Sequence, residues 1–271
     1  MIVDAFNALL RAGVSAYSGA FAAWSPFIGL VLLSAVFGVI MLWVVGKTSD
    51  QRAIGLAKKR MQAYLLEMRV YSDEPRVLLR AQWMLLAQNA KYVGHMLRPA
   101  VFLALPMVVL YAHLDAVYGK RPLRVGESAL VMASTDVPAP PLDLTSAGGV
   151  TVDSTSVTAR GEGRTYWRIR AEQAESGKVW LTTPGGSVSK SVLTGSGHGY
   201  VSPSRARAWW RRLLLEPGEP RLNTADVSRL ELAYPSRKVG PPGWETHWAV
   251  WFFGVSIVSA FVLKGRFGIV L

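Results

Sequence analysis

Four histidines, His95, His113, His198 and His247, are the residues most able to do chemistry, and no two stand four apart as a helical metal pair requires. Metal catalysis is therefore not expected. The chain of 271 residues has no cysteine, which removes thiolate ligands, disulfides, cysteine nucleophiles and thioether haem attachment together. No Ser-His-Asp context and no carboxylate pair stands out. Residues 195–199, within TGSGHGY, have the glycine density of a phosphate loop. They lack the Lys-Ser or Lys-Thr that would bind nucleotide and the strand-to-helix order, so they read as a turn. His113, Asp115 and His247 fall at the ends of apolar runs and could form a polar cluster at a membrane interface, where such groups hydrate cheaply. A protein that is not an enzyme and holds no cofactor is the expectation.

The elements that carry these residues are set by hydrophobicity. About half the chain, 51%, is apolar and the mean hydropathy is positive, too hydrophobic for an ordinary soluble domain. Residues 24–46, from Trp24, contain no charge, and about twenty apolar residues at 1.5 Å each cross a hydrocarbon core of roughly 30 Å. A second run, 99–117, is broken only near its end by His113 and Asp115. A third, 244–263, has Trp244, Trp248 and Trp251 at one mouth and Lys264 and Arg266 at the other.

Between the first two runs stand Lys47, Arg52, Lys58, Lys59, Arg60, Arg69, Arg76, Arg80, Lys91 and Arg98 against Asp50, Glu67, Asp73 and Glu74. Such a loop stays in the cytoplasm. Residues 47–98 and the tail 264–271 are thus expected inside, and the N-terminal 1–23 and the long 118–243 segment outside. A translocated β-domain without disulfides points to the bacterial inner membrane. The formal charge of +12 suits anionic headgroups, and no nucleic acid is expected as a partner. A cleaved signal peptide is the competing reading of the N-terminus, but its apolar run is too long and basic residues follow it. Ile2, Phe6, Leu9 and Leu10 share one helical side, as in an amphipathic helix lying in the outer interface; a frayed terminus is the alternative.

Residues 47–98 read as a helical hairpin. Ile54, Met61, Leu65 and Met68 recur at near-helical spacing, and Leu78, Trp83, Leu85 and Leu86 supply the facing surface. Ser72 or Asp73 can cap the second arm and Pro75 fits its first turn, after which the arm is expected to continue into the second span. Met61, Met68, Met84 and Met96 could offer an adaptable surface to a client helix or simply fill the seam.

In order, one span, a basic hairpin and two further spans resemble the YidC and Oxa insertase superfamily, particularly its three-span Get-pathway, endoplasmic-reticulum membrane complex and archaeal members. The resemblance covers residues 20–117 and 244–271. It is carried by WSPFIGLVLLSAVFGVIMLWVVGKTSDQ and RAQWMLLAQNAKYVGHMLRPAVFLALPMVVLYAHL, which look like the family's span-to-coil and coil-to-span junctions, with a Met-rich coil and a proline inside the second span. It implies a groove, open to cytoplasm and bilayer, through which hydrophobic client segments enter the membrane without covalent chemistry. In YidC-type members a positive charge sits within the groove, and spans one and two here contain no Lys or Arg. The candidate client-binding residues are Lys47, Arg52, Met61, Met84, Gln88, Lys91 and Arg98; the basic ones serve equally as interfacial anchors.

Segment 118–243 departs from those relatives. ESALVMAS, VTVDSTSVTA, TYWRIRAE, KVWLTT and SRLELAYP are strand-like, and SAGG, GEG, ESGK and TPGG are turns between them. A small antiparallel β-domain is expected, with Trp167 and Ile169 on the packed face and Tyr166, Arg168 and Arg170 opposite. A helix beginning near Ser204 is expected to cover it through Leu213, Leu214 and Leu215, although Trp209 and Trp210 among arginines also suit a membrane or partner surface.

The expected fold class is thus an α-helical membrane protein of three transmembrane helices plus a cytoplasmic hairpin, with a separate extracytoplasmic antiparallel β-domain. Its expected function is that of an insertase or membrane chaperone. The alternative is an accessory subunit of a larger inner-membrane complex that binds its partner through the outer domain. Membrane lipids, hydrophobic client segments and other subunits are the implied partners.

Overall fold

A computed structural model describes residues 2–22, 25–135, 142–159 and 161–267. Trp24, the first residue of the first expected span, and the side chain of Ile2 lie outside that description. The chain forms two compact units, Met1–Leu30 with Val108–Trp251, and Val31–Met107 with Phe252–Leu271. Helices α1 (Ile2–Ala22), α2 (Pro26–Thr48), α3 (Gln51–Val70) and α4 (Pro75–Leu114) lead into a π-helical turn at Asp115–Gly119. After the β-rich segment, α6 (Trp248–Leu263) runs into a 3-10 turn at Lys264–Phe267. Three helical segments, Pro26–Thr48, Pro75–Gly119 and Trp248–Phe267, are long and apolar enough to cross a membrane.

In the helical unit, α2 ends where Thr48 and Ser49 turn their hydroxyls back onto the carbonyls of Val44 and Val45, at 2.7 and 2.5 Å. Asp50 then caps α3, accepting the Ala53 N–H at 2.9 Å. Neither Ser72 nor Asp73 caps the second arm: Ser72 spends its hydroxyl on the Asp73 carboxylate, and the first helical bond runs from Leu78 N–H to the Glu74 carbonyl. Pro75 takes the first helical position, where its missing N–H costs nothing. The arm continues into the second candidate span without a break, through Pro99 and Pro106.

The seam of the hairpin differs from the expected one. Shielded residues on α3 are Ile54, Ala57, Met61, Tyr64 and Met68, and on α4 they are Leu78, Ala81, Met84, Leu85 and Gln88. Leu65, Trp83 and Leu86 are exposed instead. The physical reason is register: Leu79, Trp83, Leu86, Val93, Leu97 and Val101 form a second stripe at helical spacing, so α4 is apolar on two sides and this one is left exposed.

Segment 118–243 is a two-sheet structure, entirely antiparallel within its named strands. One sheet runs β3 (Val150–Val152), β5 (Arg164–Ala171), β1 (Ser128–Thr135), β9 (Val227–Leu232), β8 (Ser204–Ala206), with β4 (Val157–Ala159) also on β5. The other orders β2 (Asp143–Ala147), β6 (Gly177–Thr183), β7 (Gly186–Val192). Alternation turns Val131, Trp167, Ile169 and Leu230 of the first sheet, and Leu144, Val179, Leu181 and Val188 of the second, into one core. Tyr166 is half-buried and Arg168 and Arg170 are exposed, as period-two alternation dictates. The expected single run VTVDSTSVTA is two short strands, both paired to β5.

The helix expected near Ser204 is shorter, Trp209–Leu214 (α5), and Ser204–Ala206 is the strand β8. Arg205 fixes that strand, donating to the carbonyls of Pro220, Ser189 and Arg221 at 2.7, 2.5 and 3.0 Å. The expected covering role of α5 fails at Leu215, which is exposed, while Arg212 is the buried residue of the helix. Lys190 is also fully buried, donating to Ser202 O and Glu219 Oε1, both at 3.0 Å. Burial pushes its ammonium pKa down, and the Glu219 carboxylate opposes that.

At the start of the domain Arg121 grips Glu127 with two hydrogen bonds, 2.7 and 2.8 Å, and the Arg124 N–H adds a third at 3.0 Å. The Arg121 hydrogen bond is the main reason the Glu127 carboxyl falls from 4.5 to about 2. A folded-state pKa below the unfolded one gives stability that is present above the unfolded pKa and lost as pH falls through the folded one. Glu127→Gln is therefore expected to cost about 1 kcal/mol at neutral pH, allowing for solvent screening of a part-exposed pair. The difference should vanish in unfolding curves taken toward pH 2. A cost that stays constant across that window would assign the effect to packing.

Candidate functional site

The clearest concavity of the helical unit lies where α2 ends and α3 begins, against the middle of α4. It is a groove of about 350 Å3, lined by Met41, Val45, Ser49, Ile54, Met96, Pro99, Ala100, Leu103, Ala104 and Met107. That volume sits at the low end of the roughly 300–1,000 Å3 of small-ligand clefts. The hydroxyl back-bonds that end α2 position Ser49 and let Ile54 fold back, almost fully buried, into one wall. Pro99 builds the opposite wall, and with no N–H it leaves the His95 carbonyl without its usual helical donor. Among the described residues Ser49 is the one polar side chain in the lining, and its hydroxyl is engaged with Val45. With no titratable side chain among those described residues, the lining suits apolar groups. Three methionines, Met41, Met96 and Met107, make it conformable.

Nearer the start of α2 the same face is closed. Ser256 of α6 donates its hydroxyl to the Ser34 carbonyl at 2.9 Å, and Phe37 and Phe252 meet with ring centroids 5.2 Å apart. A Cβ built on Gly38 would collide with the Ser256 carbonyl oxygen and sit 3.1 Å from its Cα, so the two backbones meet at a position only glycine allows.

None of the seven expected client-binding residues lines the groove. Lys47 is exposed in the last helical turn of α2 and Arg52 in the first of α3, and Arg98 is exposed next to Pro99. Lys91 is exposed further down α4. Met61 and Met84 are half-buried on the hairpin seam, and Gln88 is buried there. The sequence signal that could have found the groove was the set of small and flexible residues around Pro99, namely Met96, Ala100, Ala104 and Met107, repeating at helical spacing toward Met41 and Val45 of α2.

The interfacial cluster of His113, Asp115 and His247 does not assemble as one group. Asp115 accepts the Trp248 indole N–H at 3.0 Å. His113 is buried with Nδ1 3.0 Å from the Val109 carbonyl and its ring against Tyr200, and His247 lies against Trp248.

Helix α1 is held to the β-domain by its polar edge. Asn7 donates to the Arg212 carbonyl at 2.9 Å, Arg11 donates to the Gly218 carbonyl at 2.9 Å and lies over the Tyr200 ring, and Asp4 pairs with Arg212. Its exposed side carries Ala5, Phe6, Leu9, Ala12, Ala16 and Ala20. No family model matches the chain, and no curated protein or solved structure matches it.

Proposed function

We propose that the chain is a multi-pass protein of the bacterial inner membrane that receives an apolar helical segment of another membrane protein in the methionine-lined groove, as a membrane chaperone or insertase does. The observation that carries this reading is the groove itself, apolar in all but Ser49 and walled by Met41, Met96 and Met107. Lipid tails are as apolar as leucine, so a segment entering the groove gains from packing and little from the hydrophobic effect. Weak, conformable packing is what a transient client needs. Polar flanks of that client, costly in hydrocarbon, would be met by Lys47, Arg52 and Arg98, the exposed cations beside the lining.

A second reading is favoured by the glycine-tight contact of α2 with α6, which fixes one side of α2 as an anchor's would be. In that reading the groove is the permanent seat of one partner helix, and the chain is an accessory subunit. Photocrosslinking probes at Met96, Leu103 and Met107 in intact membranes separate the two. Crosslinks to many short-lived nascent membrane proteins are expected for the client reading, and Ala104→Phe, which fills the groove, should reduce them severalfold. One constant partner with no nascent chains would overturn it in favour of the accessory subunit.

A further inference from the structure

In the other unit a larger and differently made concavity opens between the start of α1, α5 and the strands β1, β5 and β9. It measures about 1040 Å3 and carries six arginines in its lining, Arg164, Arg207, Arg211, Arg212, Arg221 and Arg229, with Asp4 and Glu162 as its carboxylates. Behind it Glu216 forms an ion pair with Arg229 at 2.6 Å and lies 3.7 Å from Arg211, while Glu231 pairs with Arg229 at 2.9 Å. Counting those two, four carboxylates face six guanidinium groups among the described residues, which leaves two positive charges in excess there. Arg221 is exposed and pairs with no carboxylate among the described residues. Arg212 is 4% exposed, and although one of its terminal nitrogens meets Asp4, its Nε has no hydrogen-bond partner. Burial, then the nearby charge of Arg221, lowers its pKa.

Two apolar features border this cleft. Trp209, 63% exposed, forms part of its lining, and Trp210 beside it is also exposed. Helix α1, whose Val3 and Asp4 line the cleft, carries an uncharged exposed side of Ala5, Phe6, Leu9, Ala12, Ala16 and Ala20 along its whole length. A helix with its polar edge glued to protein and its apolar side open has the character of one lying in a bilayer interface, and exposed tryptophans belong at the same depth. The chain goes on from α1 to Pro26 and the first candidate span within a few residues, which keeps α1 near that interface.

We propose that this cleft binds the phosphate of an anionic phospholipid headgroup, with Arg164, Arg207 and Arg221 at its mouth and the acyl chains running beside Trp209 and the open side of α1. The inference is independent of the groove in the helical unit. Arginine is the side chain suited to phosphate, offering paired donors in a fixed plane, and a lipid supplies the phosphate together with apolar chains to cover the exposed flanking surface. A soluble phosphate would supply the first alone.

The full-length chain in a neutral detergent, offered equal amounts of phosphatidylglycerol and phosphatidylcholine and read by native mass spectrometry, tests this. Phosphatidylglycerol is expected to be retained in preference. Replacing the exposed pair, Arg164→Gln with Arg221→Gln, should lower that preference by roughly ten- to thirtyfold while the unfolding midpoint stays put. Equal retention of the two lipids, or a preference unchanged in the double variant, would overturn the proposal. So would displacement of the lipid by glycerol phosphate at equal concentration on the unaltered chain, which would give the cleft to a soluble anion.

Discussion

Lys190→Met should destabilise the β-domain by about 3–5 kcal/mol, because it strands the Glu219 carboxylate in a place where only a charge partner makes it tolerable. The lysine side chain is 0% exposed and the glutamate 10%, and the ammonium also holds the Ser202 carbonyl. Methionine is close in length and apolar, so the cost is electrostatic and not a cavity. The double variant isolates that cost. With Glu219→Gln added, neither member of the pair leaves an unpaired buried charge, and at least half of the loss should return, since removing both members of a buried pair is often near neutral. Chemical unfolding of the full-length chain in detergent, followed by tryptophan emission, reads both. A single variant that costs less than about 1 kcal/mol would mean that the pair is hydrated and that its burial carries no energetic weight.

Gly38→Ala is the second large expected effect, and it is measured against Gly55→Ala. At Gly38 an added Cβ meets backbone, the Ser256 carbonyl, which cannot rotate away. The two helices must separate, and with them goes the Ser256 to Ser34 hydrogen bond. Overpacking of this kind costs about 1–3 kcal/mol, and a lost interhelical hydrogen bond between candidate spans adds about 0.6 kcal/mol. Gly55, inside α3, has nothing within 4 Å of an added Cβ. There the same substitution should stabilise by about 0.5–1 kcal/mol, through reduced freedom of the unfolded chain. Opposite signs in thermal melts of the detergent-solubilised protein are the expected result; a destabilisation at both positions would refer the effect to detergent and not to the α2–α6 contact.

The large elements were legible because each rests on one strong period or one long apolar run. The three candidate spans, the hairpin turn at Pro75, and the strands β1, β5, β6 and β9 all follow from such runs. What escaped did so for physical reasons. Strand β7, GSVSKSV, buries Lys190 where alternation asks for an apolar residue, and β8 is three residues long, held by the side chain of Arg205 instead of by hydrophobic pattern. Leu79 and Trp83 were indistinguishable from seam residues, because α4 has apolar residues on two sides and sequence does not say which side has a neighbour. The groove was missed because polar and basic residues drew attention, while its walls are alanine, proline and methionine, which look like lipid-facing filler. The resemblance to the YidC and Oxa superfamily rests on the order of helices and the two quoted junctions, and no sequence or structure match adds to it.

The docking of α1 also sets an order in time. Asn7 waits for the carbonyl of Arg212, 205 residues later, and Arg11 for that of Gly218, 207 residues later. At about 5–20 residues per second, roughly 10–40 s of synthesis separate the appearance of the helix from that of its partners. The β-domain between them must be made and must close its two sheets before the polar edge of α1 has anything to hold. Throughout that interval the uncharged side of α1, with Ala5, Phe6 and Leu9, is the surface the helix can offer a neighbour.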